Sequence, residues 1–203
     1  MANTQCNDID QICPESCDDM LVPSVQFSDC APEINESEIE WLVVGHSETP
    51  NFTDIEDIDE WNQRISQTAP LAGPDNTLRL FRVTGDKPAP EDTEITISGQ
   101  RTIRTGTTHI VNFDIDETNE TNYEAIRKLQ CNSTVKIWYI TRACKVYGGI
   151  CGMKAQFQAR LIQNRGEGEI ERYTGTVEWK DKIDPPRAEW PLCGTTVFPT
   201  PTT

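Results

Sequence analysis

Eight cysteines and two histidines are the side chains best able to do chemistry in this 203-residue chain. The cysteines form two groups, Cys6, Cys13, Cys17 and Cys30, then Cys131, Cys144, Cys151 and Cys193. The first group is spaced C-x6-C-x3-C-x12-C, without the C-x2-C knuckles that clasp zinc, and neither His46 nor His109 lies beside it. Free thiols, disulfides formed after release to an oxidising environment, and a metal site are the three states open to such a set. Cys131 and His109 flank a helical stretch and are the pair a thiol nucleophile would draw on. Nothing local marks either as activated, and a buried thiol with a strand imidazole explains them without catalysis.

Other chemistry-bearing patterns thin out in the same way. The chain has no GxSxG, Walker A, HExxH or GxGxxG motif. GEGE at 166–169 reads as a turn between strands. DIEDIDEW, from Asp54, lacks the glycine that a calcium-binding EF-hand loop requires, so its acids read as a solvated helix face. Asp-Ile-Asp recurs at 8, 57 and 114 in dissimilar surroundings, which argues against a repeat. Sequons at Asn35, Asn51, Asn119 and Asn132 follow from an Asn- and Thr-rich composition. No catalytic residue, cofactor or metal ligand is expected, and the chain is read as not an enzyme.

Charge is distributed unevenly. Met1 to Gln63 contain sixteen Asp or Glu and no Lys or Arg, whereas Arg64 to Thr203 contain seventeen acids and eighteen bases. The net charge of −15 thus belongs to the first third, which is unsuited to gripping phosphates. Sequence-specific nucleic-acid binding is not expected. Arg101, Arg104, Lys136, Arg142, Lys145 and Lys154 would form a positive patch, either for DNA or for the acidic segment of an adjacent copy. No apolar run reaches membrane-spanning length, and the first residues have neither the positive charge nor the apolar stretch of a secretory signal. Synthesis and assembly in a cytoplasm are expected.

The elements that must carry these residues are mostly strands. Ile39 to His46, Leu78 to Thr84, Glu94 to Ser98, a strand at Ile103, and HIVNFDID from His109 are read as strands, with TGT at 105–107 turning the chain. GDKPAPED joins the second strand to the third as a turn-rich link. VKIWYITR, from Val135, has large residues on both faces and is expected to be covered on both. MKAQFQARL, from Met153, alternates strictly and reads as half-buried. Tyr173, Gly175, Val177 and Trp179 line one face of a last strand. Helices are expected at Thr53 to Gln67, with Ile55, Ile58, Trp61 and Ile65 on one face, and after Thr121, presenting Tyr123, Ile126 and Leu129. Each has an apparent capping box, Thr53-x-x-Glu56 and Thr121-x-x-Glu124.

The expected fold is mainly β with two short helices, an antiparallel sandwich or partly open barrel. Residues 1–37 form an acidic, cysteine-bearing arm, 38–183 the β-rich core, and 184–203 a proline-rich tail. Trp138, Tyr139, Trp179 and Trp190 are aromatic groups for either a sugar-stacking platform or a core. Trp190 lies in the tail, without an evident core of its own, and so reads as an anchor into a neighbouring subunit. With Cys6, Cys13, Cys17, Cys30 and Cys193 it completes the set of assembly candidates.

GDKPAPEDTEITISG, FDIDETNETNYEAIRKLQC, VKIWYI, YGG and GTVEWK give the stretch from Asp86 to Trp190 a resemblance to a family. It resembles small β-rich virion proteins of tailed bacteriophages, the crAss-like phages of Bacteroidetes among them. Its element order is also similar to the tail-tube-like sandwich of tube, ring and shell subunits. The resemblance implies a structural subunit in the virion, oligomeric in the particle. The partners implied are other virion proteins and copies of itself, with no membrane. An auxiliary capsid protein is the leading reading; a tail tube or ring component and a carbohydrate- or receptor-binding module are the alternatives.

Overall fold

A computed structural model of the chain describes residues 35–65, 77–97, 101–131, 134–166 and 170–194. The strands are β1 (Ile39–His46), β2 (Arg79–Asp86), β3 (Glu91–Ile97), β4 (Arg101–Ile115), β5 (Val135–Thr141), β6 (Lys145–Tyr147), β7 (Met153–Ile162), β8 (Arg172–Asp181) and β9 (Arg187–Glu189). The helices are α1 (Ile58–Ile65) and α2 (Glu120–Gln130).

Six strands close on themselves in the order β1-β2-β4-β8-β7-β5, because β5 pairs back onto β1 from Val135↔His46 to Thr141↔Ile39. All these pairings are antiparallel. The mainly β expectation therefore holds, and its finer form is corrected: the core is a closed barrel, neither a sandwich nor partly open. Both ladders of β1 slip between Ile39 and Trp41. Irregularities of this kind bend a strand and help a sheet curl to closure. Inside are Leu42, Val44, Phe81, Val111, Phe113, Ile137, Phe157 and Val177, all nearly or wholly buried.

Helix α2 closes one end. Its N-cap is Asn119, whose side chain accepts from the Asn122 amide, in place of the expected Thr121 capping box. Ile126 is fully buried, Tyr123 and Leu129 pack against the interior, and Gln130 Nε2 donates to the Ala159 carbonyl at 2.7 Å.

A second apolar layer lies outside β1 and β5. Val43, Trp138 and Ile140 point outward and meet Phe52, Ile55, Trp61, Ile65, Leu78, Val146, Trp190 and Leu192. This explains why VKIWYIT is large on both faces: every residue of β5 is buried. Helix α1 is shorter than expected at its start. Asp57 caps it, accepting from the Asp59 amide through its side chain and from the Trp61 amide through its carbonyl. Glu60 reaches back to the Thr53 and Asp54 amides, so the expected Thr53–Glu56 box gives way to a wider loop clasp. Ile58, expected on the apolar face, is 42 % exposed.

Buried Arg64 holds this layer down. Its guanidinium donates to the Pro50 and Asn51 carbonyls, pairs with Glu60 at 2.6 Å, and lies 4.1 Å over the Phe52 ring. Trp138 Nε1 donates to the Gly149 carbonyl. A Cβ at Gly152, where φ is +68°, would lie 2.5 Å from the Trp138 ring. YGGICG is thus a loop wrapped around one tryptophan.

Two sequence expectations fail around β4. TGT at 105–107 does not turn the chain: β4 runs unbroken through it, with a bulge where β3 pairs Thr93↔Gly106 and then Glu94↔Arg104. GDKPAPED does not reverse the chain either. β2 and β3 lie end to end along the same edge of β4, ending at Asp86↔Asn112 and resuming at Glu91↔Thr108. Pro88 and Pro90 have no amide to give the ladder, so they interrupt it.

The core also runs past residue 183. β9 pairs β6, Cys193 is bonded to Cys144 with Cα atoms 5.6 Å apart, and Trp190 and Leu192 are buried. Residues 184–194, expected in the tail, belong to the folded unit.

Candidate functional site

Two features of this frame present chemistry to the outside: a ribbon on one flank and a cleft at the end of the barrel opposite α2. The ribbon is β3 with the first half of β4. β4 takes up β8 only from Thr107↔Asp181 onward, so residues 101–106 pair with β3 alone among the described residues. β3 in turn pairs with β4 and with no other described strand. Glu91, Asp92, Thr93, Glu94 and Thr96 are all exposed. A two-stranded ribbon is marginal in isolation, and an edge strand with no further strand beside it among the described residues is a template for another strand. The other outer strand, β9, is treated differently: its Glu189 amide donates to the Glu56 side chain.

The cleft has a volume of about 590 Å³ and is lined by Ser37, Glu38, Ile39, Gly85, Asp86, Lys87, Tyr139, Thr141, Tyr147, Asp184 and Pro185. These come from the start of β1, the ends of β2 and β5, β6, and the β8–β9 loop. Aromatic rings form its base. Tyr139 stacks on Tyr147 at 4.7 Å, Trp179 lies 6.4 Å from Tyr139, and His109 stacks on Trp179 at 5.2 Å. Lys87 reaches across to Asp184 at 3.0 Å. His109 Nδ1 sits 3.7 Å from the same Asp184 oxygen, and neither ring nitrogen has a hydrogen bond of ordinary geometry among the described residues. Burial, and then Lys87, hold its pKa below the ordinary 6.5 against weaker pulls from Asp184 and Asp181. Burial, followed by Tyr147 and Asp184, pushes the Tyr139 phenol upward, so it stays a neutral hydroxyl.

The residues singled out in the sequence are dispersed by the fold. Cys131 is exposed at the end of α2, while His109 lies toward the other end of β4. From His109 to Ile115, beside α2, is about 20 Å of extended strand, so the two make no dyad. Of the four aromatics, Tyr139 and Trp179 meet at the barrel mouth, whereas Trp138 and Trp190 lie in the outer layer. Trp190 is corrected most: it has a core of its own, 6.4 Å from Trp41 and only 6 % exposed, so it anchors its own chain. Its amide donates to the Cys144 carbonyl beside the Cys144–Cys193 bond.

Cys151 is likewise disulfide-bonded. Cys6, Cys13, Cys17 and Cys30 lie outside the described residues. Among the described residues no three His, Cys, Asp or Glu side chains gather as metal ligands, and no helix is long and apolar enough to cross a membrane.

Three of the six basic residues expected to form a patch have partners within the fold. Lys136 is buried and donates to the Thr49 carbonyl and Asn51 Oδ1; burial lowers its pKa. Arg142 pairs with Glu38 at 2.7 Å, and Lys145 pairs with Glu189. The side chains of Arg101 and Arg104 lie outside the description. Sequence reading missed the cleft, because its lining comes from five separate stretches. Lys87 reaches the rim because the β2 ladder ends at Asp86, just before the prolines. Compared with protein-family models and with curated proteins, the chain matches neither a family model nor a curated protein.

Proposed function

We propose that the chain is a non-enzymatic structural subunit of a tailed-phage virion, an auxiliary or stabilising protein of the head shell. The single observation that carries this reading is the β3–β4 ribbon, in which β3 and residues 101–106 pair only with each other among the described strands, an arrangement suited to strand addition by a neighbour. Glu91, Asp92 and Glu94 along it oppose pairing of two identical edges, since like charges facing each other across strands repel. The partner is therefore a different surface, on another copy of the chain. The likeness of Asp86 to Trp190 to phage virion proteins supports the same reading, with assembly in a host cytoplasm. Head-to-tail contacts of this kind also close into rings, which supports a tail tube or ring component as the second reading.

Gold labelling of an epitope tag on this subunit, viewed by electron microscopy, tests the reading. Label over the head shell is expected. Label along the tail selects the second reading, and particles bearing no label reject both.

A further inference from the structure

The barrel mouth carries binding chemistry that does not depend on the ribbon. With α2 across the opposite end, the mouth is the concave end of the barrel, where barrels commonly take ligands. Its base is the stacked Tyr139–Tyr147 pair. Tyr139 is only 4 % exposed and lines the cleft. Where a cleft presents a largely buried hydroxyl, a ligand that hydrogen-bonds to it gains affinity.

The charges around it select the class of ligand. Asp86 and Asp184 face one ammonium, Lys87, and Glu38 is already paired with Arg142, so the lining is net acidic and an anion is repelled. A wholly apolar guest would strip water from the Lys87–Asp184 pair and return nothing. A neutral polyol offers hydroxyl donors to the carboxylates, acceptors to Lys87 and Tyr139, and C–H faces to the tyrosine rings. We propose that this cleft binds a neutral sugar residue, packed against Tyr139 and Tyr147 and hydrogen-bonded by Asp86, Lys87, Asp184 and the Tyr139 hydroxyl.

The test uses the full chain, whatever its state of assembly, so it is separate from the question of position in a particle. The probes are glucose, galactose, mannose, N-acetylglucosamine, maltose and lactose, read by saturation-transfer NMR and by intrinsic fluorescence. Saturable binding of at least one sugar is expected, weakened roughly tenfold in Tyr139→Phe, which keeps the ring stack, and similarly in Asp184→Asn. Circular dichroism of both variants confirms that the barrel is intact. Three results overturn the proposal: no saturable signal from any of the sugars, wild-type affinity in both variants, or binding of spermidine where the sugars do not bind.

Discussion

The wall made by β1 and β5 and the wall made by β4, β8 and β7 are built from the same antiparallel ladders, yet they meet different surroundings. The first is pressed between two apolar layers, with Leu42 and Ile137 inside and Val43 and Trp138 outside. The second alternates: Ala155, Phe157 and Ala159 point in, while Lys154, Gln156, Gln158 and Arg160 are exposed. The difference teaches that the barrel interior is sufficient to hold a wall. The outer layer is an addition, made of an eight-residue helix, a three-residue strand and a loop, fastened by Arg64, two tryptophan hydrogen bonds and a disulfide.

The sharpest test of that contrast is a pair of truncations. Trp138→Ala empties the space between β5 and its cover and is expected to cost about 3–5 kcal/mol in urea unfolding. Gln158→Ala, on the bare wall, is expected to change stability by less than about 0.5 kcal/mol. Equal losses would mean that the two walls are not distinct. Cys193→Ser releases the tether of the outer layer. About 2–4 kcal/mol should be lost, with a red shift of tryptophan emission as Trp190 loosens; an unshifted spectrum would show the layer held without the bond.

Gly175→Ala probes the inner side of the bare wall. A Cβ there meets the Gln158 carbonyl and the Phe113 ring, so about 1–3 kcal/mol is expected to be lost, although the outer face tolerates change. The smallest effect concerns pH. His109 has a folded pKa below 6.5, so the unfolded chain takes up the proton first as pH falls. Its contribution is intact above about pH 6.5 and is lost as pH drops toward the folded value. Thermal melts of wild type and His109→Gln across that window should differ in slope, the variant being flatter; parallel slopes would remove His109 from the acid response.

Much of the wall contrast was legible in the sequence. MKAQFQARL announces a bare wall by strict alternation, and VKIWYITR announces a covered one by having large residues on both faces. β1 was legible to the residue, because an apolar β-branched run bounded by polar residues has a single reading. Closure of the barrel was not legible, since it depends on β5 reaching back to β1 across some ninety intervening residues. The KPAP break read as a turn because prolines end a ladder whether or not the chain reverses. Trp190 read as an outward anchor because its neighbours are prolines. Its core is supplied by Trp41 and by a cysteine bond across a sequence separation of 49. Nor was the cleft legible, because no local pattern records which loop ends converge.

Among the described residues the ribbon differs from both walls in having no further strand beside it, and on it rests the central claim that this edge is where the subunit meets its neighbours. Sedimentation velocity over a range of concentrations tests it most directly. The full chain is compared with a variant in which residues 93–106 are replaced by an Asn-Gly turn, a sequence suited to a tight hairpin between Asp92 and Thr107. The account predicts concentration-dependent assembly of the full chain, and a variant that keeps its far-ultraviolet spectrum but sediments as a monomer. Assembly of the variant to the same extent, or a full chain that stays monomeric throughout, would contradict it.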